Sequence, residues 1–226
     1  MSAADSGKSA SPAPAGAARA LFVVLDGIDG CGKSTQARLL AQALSLRRGR
    51  EALHLREPSS TPLGERIREL LLSREFEIEA PSEALLFAAA RRAMLDECVA
   101  PALAERRDVV CERFHSSTFA YQAVAGGLGE QRVLELLRAW CGAPQPDVTL
   151  ILDLEPRVAQ SRRARSGDRI EDRGLEFQQR VAQGYRRYAQ LDSRAKLVAA
   201  DAPEAALHER VLALLEPWIA GALADG

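Results

Sequence analysis

A buried strand that runs straight into a glycine-rich loop and out into a helix leaves a chain few folds to choose from. Residues 21–35 read LFVVLDGIDGCGKST. Gly27, Ile28, Asp29, Gly30, Cys31, Gly32, Lys33 and Ser34 fit G-x-x-x-x-G-K-[ST] in full, with an apolar run before them and a helical pattern from Lys33 and Thr35 onward. Glycines let main-chain N–H groups turn inward around an anion, and the helix N-terminus adds its positive end. The spacing predicts that Gly27 to Thr35 wrap a nucleoside triphosphate. Lys33 would reach its outer phosphates and the Ser34 hydroxyl would ligate Mg²⁺. The letters GKS at residues 7–9 carry no such meaning, because no strand precedes them.

Four more short apolar runs follow, EALHLRE (51–57), DVVCE (108–112), VTLILDL (148–154) and AKLVAAD (195–201). Their continuous apolarity predicts strands buried on both faces, hence a parallel sheet. Between them helical patterns cover 33–47, 62–73, 82–106, 130–141, 156–165, 175–192 and 203–220, with Thr61-Pro62 as a helix start. The alternation predicts an α/β fold, a doubly wound five-stranded parallel sheet flanked by helices. Ligands in such sheets sit beyond the carboxyl ends of the strands, where Asp26, Glu57, Glu112 and Asp153 fall.

The 226 residues suit one domain with a flexible Ala/Ser/Pro/Gly tail over 1–19 and a body over 20–226. A net charge of −1 argues against a dedicated nucleic-acid binder. The start of the chain has no signal-peptide pattern, no run reaches membrane-spanning length, and Cys31, Cys98, Cys111 and Cys141 have no metal-ligand spacing. Scattered thiols fit small core residues in a reducing cytoplasm. With no asparagine in the chain, the Asn-Lys-x-Asp guanine reader of a GTPase cannot exist. A mechanical or DNA-directed ATPase would bring a larger chain and a basic surface. A small kinase, with an acceptor pocket and a basic closing segment, remains.

The later motifs carry that reading further. REPSSTPLGE (56–65), FAAAR (87–91), ERF with SSTFAYQ (112–122) and DRIE (168–171) stand in order after the phosphate loop. Together they resemble thymidylate kinases over about residues 20–192. The resemblance implies a P-loop kinase fold with a mobile basic lid at about 157–173. It implies Mg²⁺-dependent transfer of the ATP γ-phosphoryl group to dTMP, in a homodimer. Phe87 would stack on thymine and Arg91 would hydrogen-bond its carbonyl edge. Arg68 and Arg113 would hold the acceptor phosphate, while Thr118 and Gln122 would contact the base. Tyr121 would pack beneath the deoxyribose. Asp29 and Glu57 would lie near the sugar and the reacting phosphates, and Glu112 beside the waters of Mg²⁺.

Lid arginines crowd RVAQSRRARSGDRIEDRG, and the interior of the phosphate loop has none. In the family the catalytic arginine comes from one place or the other, which points here to the lid, with Arg163 and Arg165 as candidates. Four positions depart from the family pattern. Ser59-Ser60 replace two glycines, so that turn must avoid or strain into positive φ. Glu112 replaces an aspartate and Phe114 a tyrosine. His115 is expected as a surface imidazole. Two alternatives stay open, a related nucleoside monophosphate kinase with another acceptor base and a nucleotide-binding regulatory protein without catalysis.

Overall fold

The computed structural model describes residues 19–75, 77–162 and 173–224. The tail to residue 18 and the candidate arginines Arg163 and Arg165 lie outside them. Strands β1 (Phe22–Gly27), β2 (Leu53–Arg56), β3 (Val109–Glu112), β4 (Val148–Asp153) and β5 (Ala195–Ala199) form one parallel sheet in the order β2-β3-β1-β4-β5. The strand of the phosphate loop is central and buried throughout. Leu21, Val23 and Leu25 point to one apolar core, and Phe22 and Val24 to the other. Burial of such a side chain contributes about 1.5–3 kcal/mol, so the alternate faces of this one strand anchor both helical layers.

Helices α1 (Lys33–Arg48), α2 (Pro62–Leu72) and α3 (Ala80–Met94) follow the expected pattern. α2 starts where Thr61-Pro62 predicts, with Thr61 Oγ1 accepting the Gly64 N–H at 2.9 Å. Gly64 is required there, since a Cβ would stand 2.1 Å from the Pro58 carbonyl oxygen. The helical pattern over 82–106 is interrupted. Leu95–Val99 widen into a π-helical stretch before α4 (Ala100–Ala104). A second departure is a helix that periodicity does not predict. α5 (His115–Thr118) continues as a π-helical stretch over Phe119–Ala125, and its residues are almost all buried. A helix buried all round, with polar and apolar residues alike inside, gives no amphipathic signal.

The remaining helices are α6 (Glu130–Cys141), α7 (Pro156–Ser161), α8 (Gly174–Leu191) and α9 (Glu204–Ala224). α8 lies so close to the 119–125 stretch that a Cβ on Gly184 would be 2.7 Å from Ala120 Cα. That approach fixes Tyr121 and Gln122 in place, and π-helical turns recur at functional sites.

Candidate active site

The loop between β1 and α1 needs its first glycine twice over. Gly27 has φ 137, and a Cβ there would sit 2.6 Å from the Leu152 carbonyl oxygen. Lys33, at the start of α1, is buried and donates from Nζ to Asp29 Oδ1 at 2.9 Å. Burial raises the Cys31 thiol above its usual pKa, and Lys33 only partly offsets this, so the loop cysteine is an inert packing group.

The ends of β1, β2 and β3 lie in register. Leu25 pairs with Glu112, Arg56 pairs with Glu112, and the Arg113 N–H bonds Leu25 O at 3.0 Å. The acids expected at strand ends therefore gather, but in different roles. Asp26 is fully buried and accepts five hydrogen bonds, from the N–H groups of Gly27 and Phe114 and the hydroxyls of Ser116, Ser117 and Tyr185. It fastens β1, α5 and α8 together. Asp153 instead makes a half-exposed ion pair with Arg186. Glu112 accepts from Ser34 Oγ at 2.5 Å and pairs with His54 Nε2 at 2.9 Å. Burial pulls the Glu112 carboxyl upward, but the hydrogen bonds of His54 and Ser34 outweigh it and hold its pKa below the ordinary value.

Arg113 occupies the left-handed region with φ 66, a strained conformation for a side chain with a Cβ. The turn carries its guanidinium back toward the phosphate loop. Nη2 is ion-paired with Asp29 Oδ1, Nη1 reaches Ser117 Oγ at 3.2 Å, and the group lies over the Tyr121 ring at 5.3 Å. Tyr121 donates its hydroxyl to Asp29 Oδ2 at 3.1 Å. Burial lowers the Arg113 pKa, yet Asp29 and its neighbours raise it well above the usual arginine value, so it stays a cation.

One cleft opens beside this cluster. Glu57, Arg68, Phe87, Arg91, Arg113, Thr118, Tyr121 and Gln122, drawn from β2, α2, α3, β3 and the 115–125 helix, all line it, as does Asp29. Sequence order separates these residues widely; the fold gathers them. Leu71, Leu72 and Arg56 join the lining without having been singled out. Arg91 is fully buried and clamped. Nε and Nη2 hold both Glu57 oxygens at 2.7 and 2.5 Å, and Nη2 also reaches Phe114 O and Thr118 Oγ1. Its Nη1 is buried and makes no hydrogen bond of ordinary geometry among the described residues. Burial raises the Glu57 pKa, and Arg91 pulls it partly back.

Two expectations about the neighbouring loops resolve differently. Ser60, in place of a glycine, does strain into positive φ at 81, and its hydroxyl bonds the Arg56 main chain in compensation. His115 is a correction, because it is buried rather than a surface group. It stacks on Phe114 at 4.2 Å, and burial, with Arg91 behind it, holds its pKa well below 6.5. Of the basic run, Arg162 donates to the Ala200 carbonyl at 3.2 Å and Arg157 is exposed. The partner missed in the sequence is His54, the one imidazole in an apolar strand pattern. Its signal was polarity two residues before Arg56.

Ser34 and Glu112 offer hard oxygen donors at the mouth of the loop, a donor type that fits Mg²⁺, which keeps most of its waters and borrows few protein oxygens.

Residues 25–211 match the family model for thymidylate kinase. The thymidylate kinase of Caldanaerobacter subterraneus subsp. tengcongensis is 36% identical over 207 residues, covering 90% of this chain and 99% of that protein. The one from Pelodictyon phaeoclathratiforme is 41% identical over 213 residues, covering 86% and 95%. A crystal structure of thymidylate kinase from Ehrlichia chaffeensis superposes with TM-score 0.73 at 30% identity, covering 88% of this chain and 99% of that one. On these likenesses, the chain belongs to the thymidylate kinase family.

Proposed function

We propose that this chain transfers the γ-phosphoryl group of ATP to dTMP, giving dTDP, by direct in-line displacement. The observation that carries the reading is the shared carboxylate of Asp29. It holds Lys33 of the phosphate loop and Arg113 of the cleft on one oxygen, so the cations for both substrates stand together before either arrives. Lys33 and the loop from Gly27 to Thr35 would bind the ATP phosphates, while Arg113 and Arg68 would hold the acceptor phosphate with guanidinium forks. Phe87 would stack on the base. Arg91, which lines the cleft, would donate to a base carbonyl. Thr118, Tyr121 and Gln122 complete the wall, and Glu57 keeps Arg91 rigid.

Ser34 and Glu112 would hold Mg²⁺ and its waters; bound there, the ion neutralises charge on the donor phosphates. Phosphoryl transfer asks for positioning and charge neutralisation rather than for a strong base, which is what this arrangement offers. Arg163 and Arg165, outside the described residues, are the candidates to reach the moving group from a lid over 157–173. A tail over 1–19 would precede the kinase body, with Arg19 at its end ion-paired to Asp147. Exposed Leu63 and Leu70 of α2 and Leu85 of α3 support a homodimer built on those helices. The four unpaired thiols fit a cytoplasmic protein, and no helix among the described residues is long and apolar enough to cross a membrane.

The test is ADP release measured with dTMP, dUMP, dCMP, dGMP and UMP as acceptors. A preference for dTMP is expected; a preference for any other acceptor, or none, would sink the assignment.

A further inference from the structure

Glu83, in the first turn of α3, has no exposed surface, an expensive place for a carboxyl group. Its Oε2 accepts a hydrogen bond from Gln122 Nε2 at 3.1 Å, and its Oε1 is ion-paired with Arg173 at the start of α8. Glu83 does not line the cleft, whereas Gln122 does.

An amide side chain has a donor end and an acceptor end, and ordinarily either can face a ligand. A carboxylate in an ion pair accepts only. Its contact with Nε2 therefore fixes which way Gln122 faces, and the Oε1 acceptor is left for the cleft.

We infer that Glu83 is a specificity-determining positioning residue, which by orienting the Gln122 amide selects acceptor bases that carry a ring N–H over bases that carry a bare ring nitrogen at that edge. A thymine or uracil ring presents an N–H there, and a cytosine ring presents a lone pair. Against Gln122 Oε1 the first makes a hydrogen bond and the second meets an acceptor facing an acceptor. Arg173 belongs to the device because it is the cation of the ion pair. It also lies 4.9 Å over the Phe177 ring, which limits its wandering. This inference rests on the proposed placement of the base beside Phe87 and Gln122.

The experiment compares kcat/KM, and Kd by calorimetry, for dTMP and dCMP in the natural protein, Glu83→Gln, Gln122→Met and the double variant. A glutamine at position 83 can offer either end, so Gln122 is free to turn. The dTMP-to-dCMP ratio is expected to fall about tenfold in Glu83→Gln, the size of one buried hydrogen bond. The KM for ATP should stay put. In Gln122→Met the ratio should fall similarly, and adding Glu83→Gln should change it no further. A ratio that holds in Glu83→Gln while the natural protein prefers dTMP overturns this inference alone. If Glu83→Gln does not fold, an unchanged ratio in Gln122→Met overturns it instead. A natural protein with no preference for dTMP overturns the proposed function itself.

Discussion

Lys33 and Arg113, eighty residues apart, converge on the same oxygen, Asp29 Oδ1. One of them opens the helix behind the phosphate loop, and the other ends the neighbouring strand. In the proposed reaction Asp29 would be a placeholder for phosphate. Negatively charged oxygens would then replace a carboxylate already matched to both cations, so that little side-chain entropy would remain to be lost.

Arg113 sits at φ 66, where a Cβ costs about 1–2 kcal/mol. Arg113→Gly is therefore expected to be more stable than Arg113→Ala by about 1 kcal/mol, measured as a urea midpoint at equal m-value. Both variants should lose turnover. Equal stabilities would show that the turn carries no strain.

Phe87→Ala should raise the KM for dTMP by at least about tenfold, the scale of a lost aromatic stack together with its buried area. The KM for ATP should change little. Equal effects on the two substrates would return Phe87 to the core of α2 and α3.

Ser34→Ala removes the hydroxyl that Glu112 holds at 2.5 Å. The Mg²⁺ concentration for half-maximal rate should rise about 10- to 100-fold, the usual cost of losing a ligand or its support. Removing Mg²⁺ with a chelator should stop turnover in the natural protein. An unshifted Mg²⁺ titration in Ser34→Ala would exclude the Ser34–Glu112 pair as the metal's seat.

His115 gives a pH dependence of stability with a definite sign. Its folded pKa lies well below the unfolded 6.5, because burial first and Arg91 second oppose the charge. Above pH 6.5 both states are neutral and the full stability is present. As pH falls below 6.5 the unfolded chain takes up a proton that the folded protein refuses. Stability then falls by up to about 1.4 kcal/mol per pH unit from this group. Urea midpoints at pH 7 and 5.5 should diverge for the natural protein and diverge less for His115→Gln. Identical slopes would mean that His115 charges freely in the fold.

Much of the architecture can be read from local patterns. The strand, loop and helix around Gly27 to Lys33 are contiguous, and a short strand such as VTLILD can bury its apolar side chains only in a sheet covered on both faces. The Thr61-Pro62 start of α2 is equally local, because the cap and the capped N–H lie three residues apart. What escapes the sequence is whatever depends on distance along the chain. Tyr185 reaches Asp26 across 159 residues, and nothing near Asp26 announces it. His115 reads as a surface residue because its polar neighbours Ser116 and Ser117 look solvated, yet they too are buried and spend their hydroxyls on Asp26. The helix holding them is buried all round, so its period is silent. Arg91 reads as a base contact from the motif alone; only the fold shows that Glu57 takes two of its five N–H groups first.

The five bonds onto Asp26 tie the strand behind the phosphate loop to the 115–125 helix, which lines the cleft, and to α8 packed against that helix. These elements should then loosen together or not at all. In native-state hydrogen exchange the amides of β1, the 115–125 helix and the middle of α8 would open as one cooperative unit near the global unfolding energy. The two halves of the reaction centre would share one melting event, and neither could be softened by mutation without softening the other.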